Sequence, residues 1–300
     1  MLNPTLALFL SIALTTSAIV IPPPSSIHLS DPGLATGNLS LPDPRFSITS
    51  RFATPLLPID ACLINVMYFM TEIAYGDFTQ RHEPKTYRVP GYDEVEIVTG
   101  TAMTARFLFW GAWLAMEYMM NNNRFHDVLW TLRWEETVLG TIKIQTSAPH
   151  LSLPDSNNIQ GFRVPSTGNG TADPKATISD TNISKDSLHT QFELFIYFFP
   201  DGKTLTKYEI FMVCYTGLLY CARKPTTASL QDFGDTSPIG DVSLHLFQYG
   251  PSLAYAYIIR TLSQIPRYLL EHPLGFREIH FELKFGGVLS ARGAITKGRG

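Results

Sequence analysis

Two distant blocks of this 300-residue chain carry one pattern. Phe125, Asp127, Val128, Trp130, Leu132, Arg133 and Trp134 are matched at identical spacing by Phe276, Glu278, Ile279, Phe281, Leu283, Lys284 and Phe285. An internal repeat constrains the fold more than any single motif, because each copy must build the same unit and both must bury their apolar faces. Each block then runs through a short turn, Glu135-Glu136-Thr137 or Gly286-Gly287, into a second apolar run, which reads as a hairpin.

The order of elements upstream of each block repeats as well. Segments 46–50 and 192–199 alternate like strands, 57–74 and 205–222 have helical apolar spacing, 94–98 and 242–247 are short strands, and 103–121 and 253–270 are again helical. Within the hairpins, Val128, Trp130, Leu132 and Trp134 point one way and Leu129, Thr131 and Arg133 the other; Ile279, Phe281, Leu283 and Phe285 oppose His280, Glu282 and Lys284. Period-two alternation gives each sheet one core face and one wetter face. The expected fold is therefore α+β: a two-layer sandwich built from a duplicated β-α-β-α-β-β unit with pseudo-two-fold symmetry, its mixed sheet carrying helices on one face. The first repeat spans 44–146 and the second 190–296, with 297–300 as a tail in which Lys297 and Arg299 are solvated.

Helix 103–121 is apolar nearly all round, but Arg106 and Glu117 bracket only about ten residues, too few to cross a bilayer. The pattern fits burial between two layers. Pro266 falls inside the matching helix and predicts a kink.

Residues 1–18 read as a secretory signal peptide: an uncharged apolar run from Leu6 to Leu14, then Thr16, Ser17 and Ala18 at a cleavage site. Three sequons, at Asn38, Asn169 and Asn182, suit a secreted glycoprotein. They fall in a Pro/Ser-rich extended arm (19–43) and in a linker (147–189) dense in Ser, Thr, Asn, Gly and Pro. The expected location is extracellular, with no spanning segment left once the signal is removed. Cys62, Cys214 and Cys221 are too few for a disulfide framework, and Cys214 and Cys221 lie too far apart along one helix to bridge each other. Cys62 could pair with either, or all three could be small core side chains.

A net charge of −3 provides no basic field for phosphate polyanions, so nucleic acid is not an expected partner. The sequence contains no Gly-x-Ser-x-Gly elbow, no phosphate-binding Gly-x-x-x-x-Gly-Lys loop and no Cys-x-x-Cys, and nothing in it calls for a cofactor or metal. His82-Glu83 begins like a zinc-protease motif, but Pro84 breaks it. His280 with Glu282, and His126 with Asp127, are the remaining acid–base pairs.

The outer faces of the two expected sheets differ. The first offers Ser47, Thr49, Glu94, Glu96, Thr131 and Arg133. The second offers Phe195, Tyr197 and Phe199 on one strand and His245 and Phe247 on another. Aromatic side chains on an outer sheet face mark an interface, and these five are the candidate binding residues for a glycan or protein ligand, with His245 as a hydrogen-bonding tip.

The Leu57-Pro58 helix start with Cys62, the Asp77-Phe78 and Trp110-Gly111 pairs, the hairpin from Trp134 to Gly140 and the signal segment together resemble uncharacterised secreted proteins of filamentous fungi, over most of 44–146. That resemblance implies no activity, ligand or catalytic residue. The expectation is a secreted, glycosylated, non-catalytic binding or interaction protein. The alternatives are a secreted hydrolase with a site between the halves, using His280, Glu282 or His126, and a carrier of apolar ligands.

Overall fold

The computed structural model describes residues 42–147 and 192–298, together with the backbone of two further strands. The signal segment, the three sequon asparagines, most of the 19–43 arm and most of the 147–189 linker lie outside the described residues.

In chain order the elements are β1 (Ile19–Ile21), β2 (Phe46–Leu56), α1 (Ile59–Ala74), β3 (Arg81–His82), β4 (Thr86–Tyr87), β5 (Val95–Thr99), β6 (Met103–Thr104), α2 (Ala105–Asn121), β7 (His126–Trp134) and β8 (Thr137–Thr146). They continue with β9 (Lys175–Ser179), β10 (Phe192–Phe198), α3 (Lys207–Cys221), β11 (Phe233–Thr236), β12 (Val242–Gln248), α4 (Tyr255–Glu271), β13 (Ile279–Phe285) and β14 (Val288–Lys297). The class is α+β. Sheet one runs β1-β2-β7-β8-β5-β4, sheet two runs β9-β10-β13-β14-β12-β11, and β3 pairs with β6.

Every strand pair among these is antiparallel, which corrects the expected mixed sheet. A crossover helix makes neighbouring strands parallel only when the strands it joins lie side by side. Here the hairpin β7–β8 inserts between β2 and β5, and β13–β14 between β10 and β12, so no helix connects adjacent strands. Both hairpins carry an irregularity at one place, between Leu132 and Arg133 in the first and between Leu283 and Lys284 in the second.

The alternation predicted from sequence places Val128, Trp130 and Leu132 in the core from sheet one and Ile279, Phe281 and Leu283 from sheet two, with Trp134 and Phe285 partly buried at its edge; Ile48, Ile142, Ile144, Leu194, Ile196 and Ile295 join them. Helices cover those faces. In sheet one Phe46 stacks on Phe107 of α2, which meets Trp134 edge-on at 5.5 Å; in sheet two Phe192 stacks on Tyr257 of α4, which meets Phe285 edge-on at 5.0 Å.

The helices also pack on one another, α1 against α3 and α4, and α2 against α3. This explains why α2 and α3 are apolar all round: α3 buries residues on every side, from Ile210 and Phe211 to Leu218 and Leu219. Each such side chain removed from water contributes about 1.5–3 kcal/mol. Gly217 permits the close approach, since a Cβ there would sit 2.8 Å from Leu244 and 2.9 Å from Leu262. Among the polar links between the helix pairs, two are buried: Trp113 Nε1 donates to Thr216 Oγ1 at 3.1 Å, and the Tyr215 hydroxyl donates to the Leu63 carbonyl at 2.8 Å. Thr206 and Glu209 form a reciprocal capping box at the start of α3.

Lys297, expected in a solvated tail, is the last residue of β14, and its ammonium reaches the buried Glu209 carboxylate at 2.6 Å. That partner ties it down. All three cysteines are buried and unpaired, the open possibility of a Cys62 bridge not being realised. Burial pushes the Cys62 thiol up to about 12.

Candidate functional site

The candidate site is the outer face of sheet two. Inward anchoring of Leu194, Ile196 and Phe198 on β10, Ile279, Phe281 and Leu283 on β13, and Leu244 and Leu246 on β12 turns the alternate side chains outward. Strand register then sets two rows. One runs Tyr197, His280, Ala294, His245, Gly234; the next runs Phe195, Glu282, Arg292, Phe247.

In the first row Tyr197 and His280 stack with centroids 4.8 Å apart and planes 9° from parallel, and Phe199 leans on the same imidazole at 5.2 Å. Burial favours the neutral imidazole and holds the His280 ring below the usual histidine range, outweighing the opposing pull of Glu282. Its Nδ1 is buried and has no hydrogen-bond partner. Across the sheet, His245 lies nearly parallel to Phe247, 6.4 Å away. It rests on the bare backbone of Gly234, where a Cβ would come within 2.7 Å of its Nδ1.

The second row is polar at its centre. Glu282 accepts from Arg292 Nε at 3.1 Å and Nη2 at 2.9 Å, with the Lys284 ammonium 3.8 Å away. Lys284 also lies 4.5 Å over Phe195, and Arg292 lies 5.4 Å from the ring of Tyr249. Charge on this row is compensated within the row.

The five sequence-predicted residues thus share one face but are not equally open. Phe195 is only 8% exposed, whereas Phe247 is 42% exposed and Tyr249 62%. Phe195 serves as a buried base. Tyr249, Arg292, Ala294 and Gly234 were missed by sequence reading. Ala294 and Arg292 alternate on β14 and could have been found by carrying the hairpin register forward, whereas Gly234 lies on an edge strand too short and polar to signal itself.

Among the described residues, the corresponding face of sheet one carries no such group. Thr49, Thr131 and Thr141 form one row across it, and Arg51, Leu129 and Lys143 the next.

The acid–base pairs do not converge. His126 Nδ1 contacts the Thr54 carbonyl at 3.1 Å, and Asp127 accepts from the Thr146 N–H at 2.7 Å and its hydroxyl at 3.2 Å. His280 and Glu282 share the outer face of the other sheet, and Glu282 is held by Arg292. His82 and Glu83 line a hollow with Glu72, Pro84, Lys85 and Tyr87, where Lys85 pairs with Glu72 at 3.4 Å. Among the described residues no three His, Cys, Asp or Glu side chains are arranged to hold a metal ion, and no helix is long and apolar enough to cross a membrane. Compared with protein-family models, with curated proteins and with solved structures, the chain matches none.

Proposed function

We propose that this chain is a secreted, glycosylated, non-catalytic binding protein that engages an extracellular glycan or protein through the outer face of sheet two, on a scaffold produced by duplication of one α/β unit. The observation that carries the reading is the contrast between the two outer faces: a row of threonines and a row of Arg51, Leu129 and Lys143 on sheet one, and a stacked Tyr197–His280 pair with His245, Phe247 and Tyr249 on sheet two. Aromatic surface kept on one sheet and not on its counterpart is what a binding face requires. The signal segment and the three sequons support export, and the resemblance to secreted proteins of filamentous fungi agrees with it.

Several features support duplication. Both sheets have their strands in one order, with the hairpin inserted at one place and its irregularity at one position. The aromatic trios Phe46–Phe107–Trp134 and Phe192–Tyr257–Phe285 recur. Helix packing is reciprocal: α1 meets α4 as α2 meets α3, with α1 and α3 against each other between them, as in a two-fold interface. Each half is a two-layer unit, and the halves join helix to helix.

The test is binding to a panel of insoluble polysaccharides (cellulose, β-1,3-glucan, chitin) and extracellular proteins by the full chain and by a Y197S/F247S variant. A tenfold or greater loss in the variant, at unchanged melting temperature, is expected. Equal binding by both contradicts the proposal.

A further inference from the structure

The two-histidine row has a gap in it. Ala294 on β14 stands between His280 on β13 and His245 on β12, so the two imidazoles rise from strands two spacings apart, roughly 10 Å, over a floor that is a single methyl group. Each wall is fixed from behind. Tyr197 stacks on His280 from the β10 side, leaving the opposite imidazole face toward β14. His245 lies against Gly234 on the β11 side, which draws it away from Ala294. At one end of this slot, the Arg292 guanidinium and the Glu282 carboxylate hold each other and stay half-open to solvent on the arginine side.

We propose that this slot binds one pyranose ring of a neutral glycan, seated over Ala294 between His245 and His280. This rests on the reading of sheet two's outer face as the binding surface and names its ligand class. A pyranose presents C–H bonds on its faces and hydroxyls at its rim. The faces suit flat rings such as the His280 imidazole, and the rim suits donors and acceptors in a plane, here the imidazole nitrogens of His245 and the Arg292–Glu282 pair. Charge disfavours a basic ligand, because the one carboxylate, Glu282, already holds Arg292 and has the Lys284 ammonium beside it; the anionic probe below separates a neutral glycan from an acidic one. Size decides against a protein. A stable protein interface covers about 800 Å² on each partner and some 20–30 residues, whereas this slot is one residue wide and three strands across.

The test uses saturation-transfer NMR on the full chain with three probes: cellohexaose, laminarihexaose and the anionic trigalacturonate. Two variants accompany it. A294L fills the slot from an outward-facing position, and Y197S removes the ring behind His280. The expected result is saturation transfer to C–H protons of at least one neutral hexasaccharide, a tenfold or greater weakening in both A294L and Y197S, and shifts of the His245 and His280 ring protons on titration. Binding unchanged in both variants overturns the proposal. Binding confined to trigalacturonate or to a protein from the panel, and lost in A294L, overturns the ligand class while leaving the face as the binding surface. Absence of binding to every probe and every panel member overturns both.

Discussion

Asp127 and Glu278 hold one station in their respective sheets: each carboxylate accepts a backbone N–H from nineteen residues further along, Thr146 at 2.7 Å and Lys297 at 2.7 Å. Each thereby ties the first strand of a hairpin to the far end of the second. The two differ in burial. Glu278 is fully enclosed and also accepts the Lys203 N–H at 3.1 Å, whereas Asp127 is half-buried. Glu278→Ala leaves two interior N–H groups without an acceptor, at about 2–4 kcal/mol, and Asp127→Ala costs about 1–2 kcal/mol because water reaches its site. Urea unfolding of the two variants checks that order.

The hairpin turns differ in backbone strain. Gly286 and Gly287 take φ of 58° and 78° in the second, but Glu135 is held at φ 53° in the first. A left-handed conformation costs a non-glycine residue about 1–2 kcal/mol, and glycine returns part of that as chain entropy. Glu135→Gly is expected to stabilise the protein by about 0.5–1 kcal/mol, read as a rise in melting temperature of a few degrees.

The halves are joined by buried polar contacts as well as apolar ones. Thr216→Val leaves the Trp113 indole N–H unpaired between α2 and α3, at a cost of about 1–3 kcal/mol. Since the helices of both halves share one interior, far-UV and tryptophan signals should shift together in the unfolding curve. Separate transitions would show the halves to be independent.

Asp235 faces inward from β11 opposite Leu244, with Oδ2 buried and unpartnered. Burial raises its carboxyl to about 7, only partly countered by the Thr236 N–H. A raised acid pKa means the folded state holds the proton longer than the unfolded chain, so stability is full below pH ~4 and lost as pH rises toward and past 7. Asp235→Asn removes that loss. The variant and the parent should differ little at pH 4, diverge as pH rises to about 7 and level off above it, where the variant is more stable by about 4 kcal/mol. A constant difference across that range would contradict the assignment.

Much of this was legible in the chain. The α+β class and the order of strands and helices were readable from periodicity, and alternation in 126–134 and 279–285 identified which side chains enter the core. Strand direction was not legible, because nothing local to β2 or β5 records that a hairpin beginning at His126, far along the chain from both, will insert between them. The candidate face followed from the aromatic residues of β10 and β12, but the slot did not: it depends on Ala294 and Gly234, small residues whose role is the space they leave. The burial of Phe195 was hidden for a related reason, since the Lys284 side chain that lies over it comes from another strand.

The most direct test of the account compares one position on the two sheets. Arg51, opposite Leu129, holds the place in sheet one that Tyr197, opposite His280, holds in sheet two. Dissociation constants for the panel ligand bound by the parent chain should rise at least tenfold in Y197S and stay within twofold in R51S. Equal loss in both, or loss in R51S alone, would contradict the assignment of binding to the outer face of sheet two.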